Sequence, residues 1–103
     1  MNGIYRITYQ VPGDSGIGLS FLDNGKIYGG DESHAFYGEY SVVGDNLTAN
    51  VTRVQHSSGH ALGGGGNQLT ITGKVNGDNI RAQAAIPGVS VTMAINMQKL
   101  TSI

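Results

Sequence analysis

His34 sits three residues after Asp31 and two after Glu32, in Gly29-Gly30-Asp31-Glu32-Ser33-His34. An imidazole beside carboxylates can serve as a general base or share a metal ion. The same run also has the composition of a polar turn, which is the plainer reading. His56 and His60 have the four-residue spacing of a helical metal pair, but serine and glycine surround them and no third ligand follows. They read as solvated loop histidines. No metal site is expected.

The remaining catalytic arrangements are missing their parts. Asp14, Asp23, Asp31, Asp45 and Asp78 all fall in turn signals, so no two of them are set to flank a cleft as paired acids. Ser20, Ser41 and Ser90 lack the Gly-x-Ser-x-Gly elbow that exposes a nucleophile. Gly73-Lys74 fails as a phosphate loop, because Gln68 stands where the first glycine belongs and Val75 follows the lysine. With no cysteine, a thiolate nucleophile, a disulfide and a cysteine zinc site are all excluded. The expectation is a protein that is not an enzyme and carries no cofactor.

Whatever function exists must be carried by strands. From Leu47 to Met97 almost every second residue is apolar, the period of a β-strand with one buried face. Strand one covers Ile4 to Val11, with Tyr5, Ile7, Tyr9 and Val11 on one face. Strand two carries Ile17, Leu19 and Phe21 on one face, interleaved with Gly16, Gly18 and Ser20. Asp23-Asn24-Gly25 predicts a type I′ hairpin turn into Lys26-Ile27-Tyr28, and Gly44-Asp45-Asn46 and Asn76-Gly77-Asp78-Asn79 predict two more. Strand four runs from Phe36 to Val43. Strand five follows to about His56, its alternation slipping at Arg53-Val54 as a β-bulge would make it slip. The connection Ser57 to Gly66 ends in four glycines and is the longest. Strand seven places Ile80, Ala82, Ala84 and Ile86 on one face, and strand eight Val89, Val91, Met93, Ile95 and Met97.

Roughly eight strands joined by short hairpins predict a single domain over residues 1–103, an all-β, antiparallel up-and-down barrel. A two-sheet sandwich has nearly the same signals. Charged residues make up only 13%, and the formal net charge of −1 offers no footprint for nucleic acid or anionic lipid. The opening Met1-Asn2-Gly3-Ile4-Tyr5-Arg6 lacks a secretory signal pattern and no run is long enough to span a membrane, so a cytoplasmic location is expected.

Five tyrosines against two phenylalanines place several hydroxyls at buried or rim positions. They serve core packing, a recognition surface or a ligand pocket. Small Ala82 and Ala84 opposite larger neighbours leave room for a cavity. Tyr5, Tyr9, Ala82, Ala84 and Met93 are therefore the candidate residues facing an interior ligand, and a carrier or sensor of a small apolar ligand is the alternative function.

Asn24-Gly25-Lys26-Ile27-Tyr28-Gly29-Gly30-Asp31, followed by Phe36-Tyr37-Gly38-Glu39-Tyr40, resembles the GrlR family of negative regulators of type III secretion. The opening Asn2-Gly3-Ile4-Tyr5, the stretch Asp45-Asn46-Leu47-Thr48-Ala49-Asn50-Val51 and Leu69-Thr70-Ile71-Thr72-Gly73 continue the likeness in order. The resemblance implies a calycin-like barrel, commonly a homodimer, that regulates by binding a protein partner such as a transcriptional activator. The best-known member of that family carries an exposed Glu-Asp-Glu-Asp tract implicated in recognising its activator. The matching turn here, Val42, Val43, Gly44, Asp45 and Asn46, is the candidate partner-binding segment, and only Asp45 in it is acidic.

Overall fold

Apolar and polar residues alternating on eight segments produce eight strands and no helix among the described residues. A computed structural model describes residues 1–57, 67–85 and 90–103. The strands are β1 (Gly3–Val11), β2 (Asp14–Asp23), β3 (Lys26–Gly30), β4 (His34–Val43), β5 (Asn46–Gln55), β6 (Gln68–Asn76), β7 (Asn79–Ala85) and β8 (Thr92–Thr101). Each pairs antiparallel with the next, and β8 returns to pair with β1, closing the barrel. Closure leaves no unpaired strand edge. No described helix is long and apolar enough to cross a membrane.

The hairpin signals resolve as expected. Asn24 and Gly25 both take positive φ, 51° and 84°, the combination a type I′ turn requires, and Gly44 and Gly77 supply the left-handed residue in two further turns. One reading is corrected. Pairing between β4 and β5 runs unbroken from His34 opposite Gln55 to Val43 opposite Asn46, so there is no bulge at Arg53-Val54. The alternation simply continues, and Arg53 inherits the inner face. The register shift lies instead between β1 and β8, where Ile4 faces Thr101 but Tyr5 faces Lys99, leaving Leu100 as the extra residue. Ile86 and Val89, expected on the inner faces of strands seven and eight, and the run Ser58 to Gly66 lie outside the described residues.

Inside, one end of the barrel is plugged. Tyr5, Leu22, Leu47 and Ile80 are each at most 2% exposed, and the Tyr5 hydroxyl donates to the carbonyl of Met1 at 2.9 Å. Burial raises the Tyr5 pKa, with nearby Tyr40 and Asp78 adding to it, so the hydroxyl stays protonated and keeps that bond.

The face of β2 is decided by size. Gly16, Gly18 and Ser20 turn inward beside Tyr9, Ile7 and Tyr5 of β1, because the barrel wall is too crowded there for larger groups. A Cβ on Gly18 would lie 2.6 Å from the Gly30 carbonyl oxygen and 3.2 Å from the Tyr9 hydroxyl. Ile17, Leu19 and Phe21 are consequently carried on the outside.

Candidate functional site

Two features of the barrel stand apart from its packed core. The first is inside, at the end opposite the Tyr5 plug. Among the described residues a cavity of about 50 Å³ lies there, walled mainly by aliphatic side chains such as Ile7, Leu69 and Met93 with Phe36. Its polar lining is Tyr9, Asp31, His34 and Arg53. All four sit at the end of the barrel where β1, β3 and β5 finish and β4 begins, so strand order gathers them from distant parts of the sequence.

Asp31 organises the turn between β3 and β4. Its Oδ1 accepts from the backbone N–H of Ser33 at 2.9 Å, from the Ser33 hydroxyl at 3.2 Å and from the backbone N–H of His34 at 2.9 Å. Burial alone would raise the Asp31 pKa. Those hydrogen bonds, with the charge of His34, outweigh it and hold the carboxyl below its ordinary value. Ser33 Oγ also lies 2.9 Å from His34 Nδ1. With the hydroxyl proton given to Asp31, Ser33 Oγ is left to accept from a protonated Nδ1.

His56 is exposed and lies just beyond β5, as its sequence context predicts, but it is tied to the β3–β4 turn. Its backbone N–H donates to the Ser33 carbonyl at 2.9 Å, and its Nε2 lies 3.0 Å from the Asp31 carbonyl oxygen. The Ser57 hydroxyl donates to the Glu32 carbonyl at 2.9 Å. The end of β5 thus clamps the turn that carries Asp31 and His34.

Arg53 and Tyr9 complete the rim. Arg53 stands opposite Phe36 on the inner face and is half-buried. Burial lowers its pKa, while Asp31 and Tyr9 oppose that shift, and a guanidinium remains charged under such conditions. Burial pushes the Tyr9 hydroxyl well up, with the charge of Asp31 reinforcing and that of Arg53 opposing. Tyr9 is therefore a neutral donor. The hydroxyl that His34 contacts belongs to Ser33, which is fully buried and committed to the turn, so it is not presented as a nucleophile. Among the described residues, no group of three His, Asp or Glu side chains is placed to hold a metal ion.

The second feature is outside. Across β1, β2, β3 and β4 the ladder aligns Ile4, Phe21, Tyr28 and Tyr37 in one row, with Leu19 and Ile17 in the next two. Ile17 is 63% exposed, Leu19 44% and Tyr37 55%. Continuing round the barrel, the rows pass from Ile17 and Leu19 through Thr8 and Arg6 to Asn96 and Gln98, then to Arg81 and Asn79. Along these rows the outer surface passes from aromatic and aliphatic on β2 to β4 to polar on β7 and β8.

The expected site residues divide accordingly. Tyr9 and Met93 line the cavity, Tyr5 and Ala84 are buried away from it, and Ala82 packs half-buried against the core. Val42, Val43, Gly44, Asp45 and Asn46 form the exposed β4–β5 turn at the plugged end, where Lys74 Nζ lies 3.5 Å from the Asp45 carboxylate. Sequence reasoning missed Arg53, whose signal was the apparent slip in alternation, and the outer wall, whose signal was the small-residue face of β2. No protein-family model matches this sequence, and comparison with characterised proteins gives no significant match.

Proposed function

We propose that the chain is a non-enzymatic protein-binding regulator of the GrlR kind, and that the outer wall of β1 to β4 is its docking surface. The observation that carries this reading is the one-sided exposure of Ile17, Leu19, Tyr28 and Tyr37. Contiguous exposed apolar surface on a small protein marks an interface. A closed barrel has no edge strand to lend, so association must run through side chains on a face. Tyrosine and other aromatics are the residues that interfaces favour.

The first occupant of the wall is a second copy of the chain. Asp23, Lys26 and Glu39 border the aromatic row in sequence across β2, β3 and β4. Lys26 pairs with Glu39 within the chain, and a polar border around an apolar centre is the anatomy of a contact face that a two-fold can bring together. The 50 Å³ interior is small beside the several hundred Å³ of pockets that hold drug-sized ligands, which favours the exterior as the working surface over carriage of a large apolar ligand.

Size exclusion with light scattering at micromolar concentration is expected to give twice the chain mass for the native protein and the chain mass for Leu19→Asp. A native monomer at every concentration refutes the dimer. For the regulatory role, the native chain should lower a type III secretion transcriptional reporter, and Tyr37→Asp should not. An unchanged reporter with the native chain removes that role.

A further inference from the structure

We infer that the outer face of β6, β7, β8 and β1 is a second docking surface, and that it takes an acidic peptide segment in extended form. This face lies round the barrel from the apolar wall, and the inference does not depend on that wall. Pairing across the four strands sets Arg6 opposite Gln98 and Gln98 opposite Asn79, and in the next outward row Asn96 opposite Arg81 and Arg81 opposite Lys74. All six are exposed. Three of the chain's six Lys and Arg residues stand on this face, and none of its seven Asp and Glu residues does; Asp45 and Asp78 lie in adjoining turns.

The starting point is Arg81. It stands directly across the β6–β7 pair from Lys74, and both side chains are outward. Like charges in that position repel and weaken the sheet. Lys74 is relieved in part by the Asp45 carboxylate at 3.5 Å, a pair in which both side chains are well exposed. Arg81 makes no hydrogen bond or ion pair among the described residues. The guanidinium is thus a cation kept beside another cation, and an incoming carboxylate meets its donors without displacing an internal bond.

The chemistry of the face selects the occupant. A guanidinium matches a carboxylate with two parallel hydrogen bonds. Arg6 donates to Gln98 Oε1 at 2.6 Å, which leaves the Gln98 amide N–H2 as a donor. The side-chain amides of Asn79 and Asn96 both donate and accept, as the groups of a peptide backbone do. Strand order places Arg6 and Lys74 three strand steps apart, about 14 Å at about 4.8 Å per step. One small anion does not reach both. In an extended peptide, acids at alternate positions project to one side, and three in succession span about 13 Å. A nucleic acid fits less well, because these residues include no aromatic ring to stack on a base and three cations are few for a phosphate backbone.

The test is fluorescence polarisation of the intact protein with labelled peptides of alternating glutamate and serine, glutamine and serine, or lysine and serine, and with single- and double-stranded DNA oligonucleotides. Saturable binding of the glutamate peptide is expected, weakening as added salt screens it, with no binding of the other two peptides and weaker binding of either DNA. Arg81→Gln should weaken the glutamate peptide about fivefold, as loss of an exposed charge pair does. Its denaturant midpoint should stay level or rise, because the repulsion from Lys74 is gone. Lys26→Gln and Tyr37→Asp, on β3 and β4, should leave binding unchanged. No saturable binding of the glutamate peptide at low salt overturns the inference, as does equal binding of the glutamine peptide, the lysine peptide or DNA. Undiminished binding by folded Arg81→Gln overturns it equally.

Discussion

The rings of Phe21 and Tyr28 stack on the outside of the barrel, their centroids 5.6 Å apart and their planes 5° from parallel. They are direct cross-strand partners, and Tyr37 stands opposite Tyr28 on the next strand. Aromatic pairs in a sheet are ordinarily spent on a core. Here they cover one another in solvent, because the inner positions of β2 are taken by glycine and serine. Replacing Phe21 and Tyr28 singly and together by alanine should show a coupling of about 0.5 to 1.5 kcal/mol in a double-mutant cycle followed by urea unfolding. Additive effects would mean that the stack contributes nothing beyond area.

The face assignment of β2 separates two substitutions of similar chemistry. Leu22→Ala removes a side chain that is 0% exposed and should cost roughly 2 to 5 kcal/mol by denaturant unfolding. Ile17→Ala, at an outward position, should stay within about 0.5 kcal/mol in the monomer. The reverse order would place β2 with its other face inward.

Ser20 is fully buried and its hydroxyl makes no hydrogen bond among the described residues. An unsatisfied buried hydroxyl costs more than the methyl that would replace it. Ser20→Ala should therefore raise stability, by about 1 kcal/mol, measured as a higher denaturant midpoint with an unchanged slope. A loss of similar size would reveal a partner for the hydroxyl.

Asp31 makes the fold sensitive to acid. Its carboxyl is held below the ordinary value in the folded state, so the folded protein binds fewer protons there than the unfolded chain does. The resulting stabilisation is complete at neutral pH and is lost as pH falls below the ordinary carboxylate value of about 4. Asp31→Asn should lower stability at pH 7 and flatten the decline between about pH 4 and pH 2. Parallel acid profiles for the two proteins would show that the turn does not depend on the charge.

Strand number, order and hairpin turns were legible in the sequence because they rest on local rules. A period of two fixes which residues share a face, and Asn24-Gly25 can take the two positive φ angles that few other pairs accept. The rim of the cavity was legible only in part. Asp31 and His34 stood out as neighbours, but Tyr9 and Arg53 join them from 22 residues either side of Asp31, through register alone.

What the sequence determined by itself was an eight-stranded antiparallel chain whose turns keep successive strands adjacent. Tertiary closure decided which face of each strand looks inward. Alternation is indifferent to that choice when one face is apolar and the other is glycine and serine, as on β2. Closing β8 onto β1 settles it, because the interior has a fixed volume. Only the small face of β2 fits beside Tyr5 and Tyr9, and so Ile17, Leu19 and Phe21 are left outside. The same closure carries Arg53 inward, where it forms a polar rim over an apolar cavity.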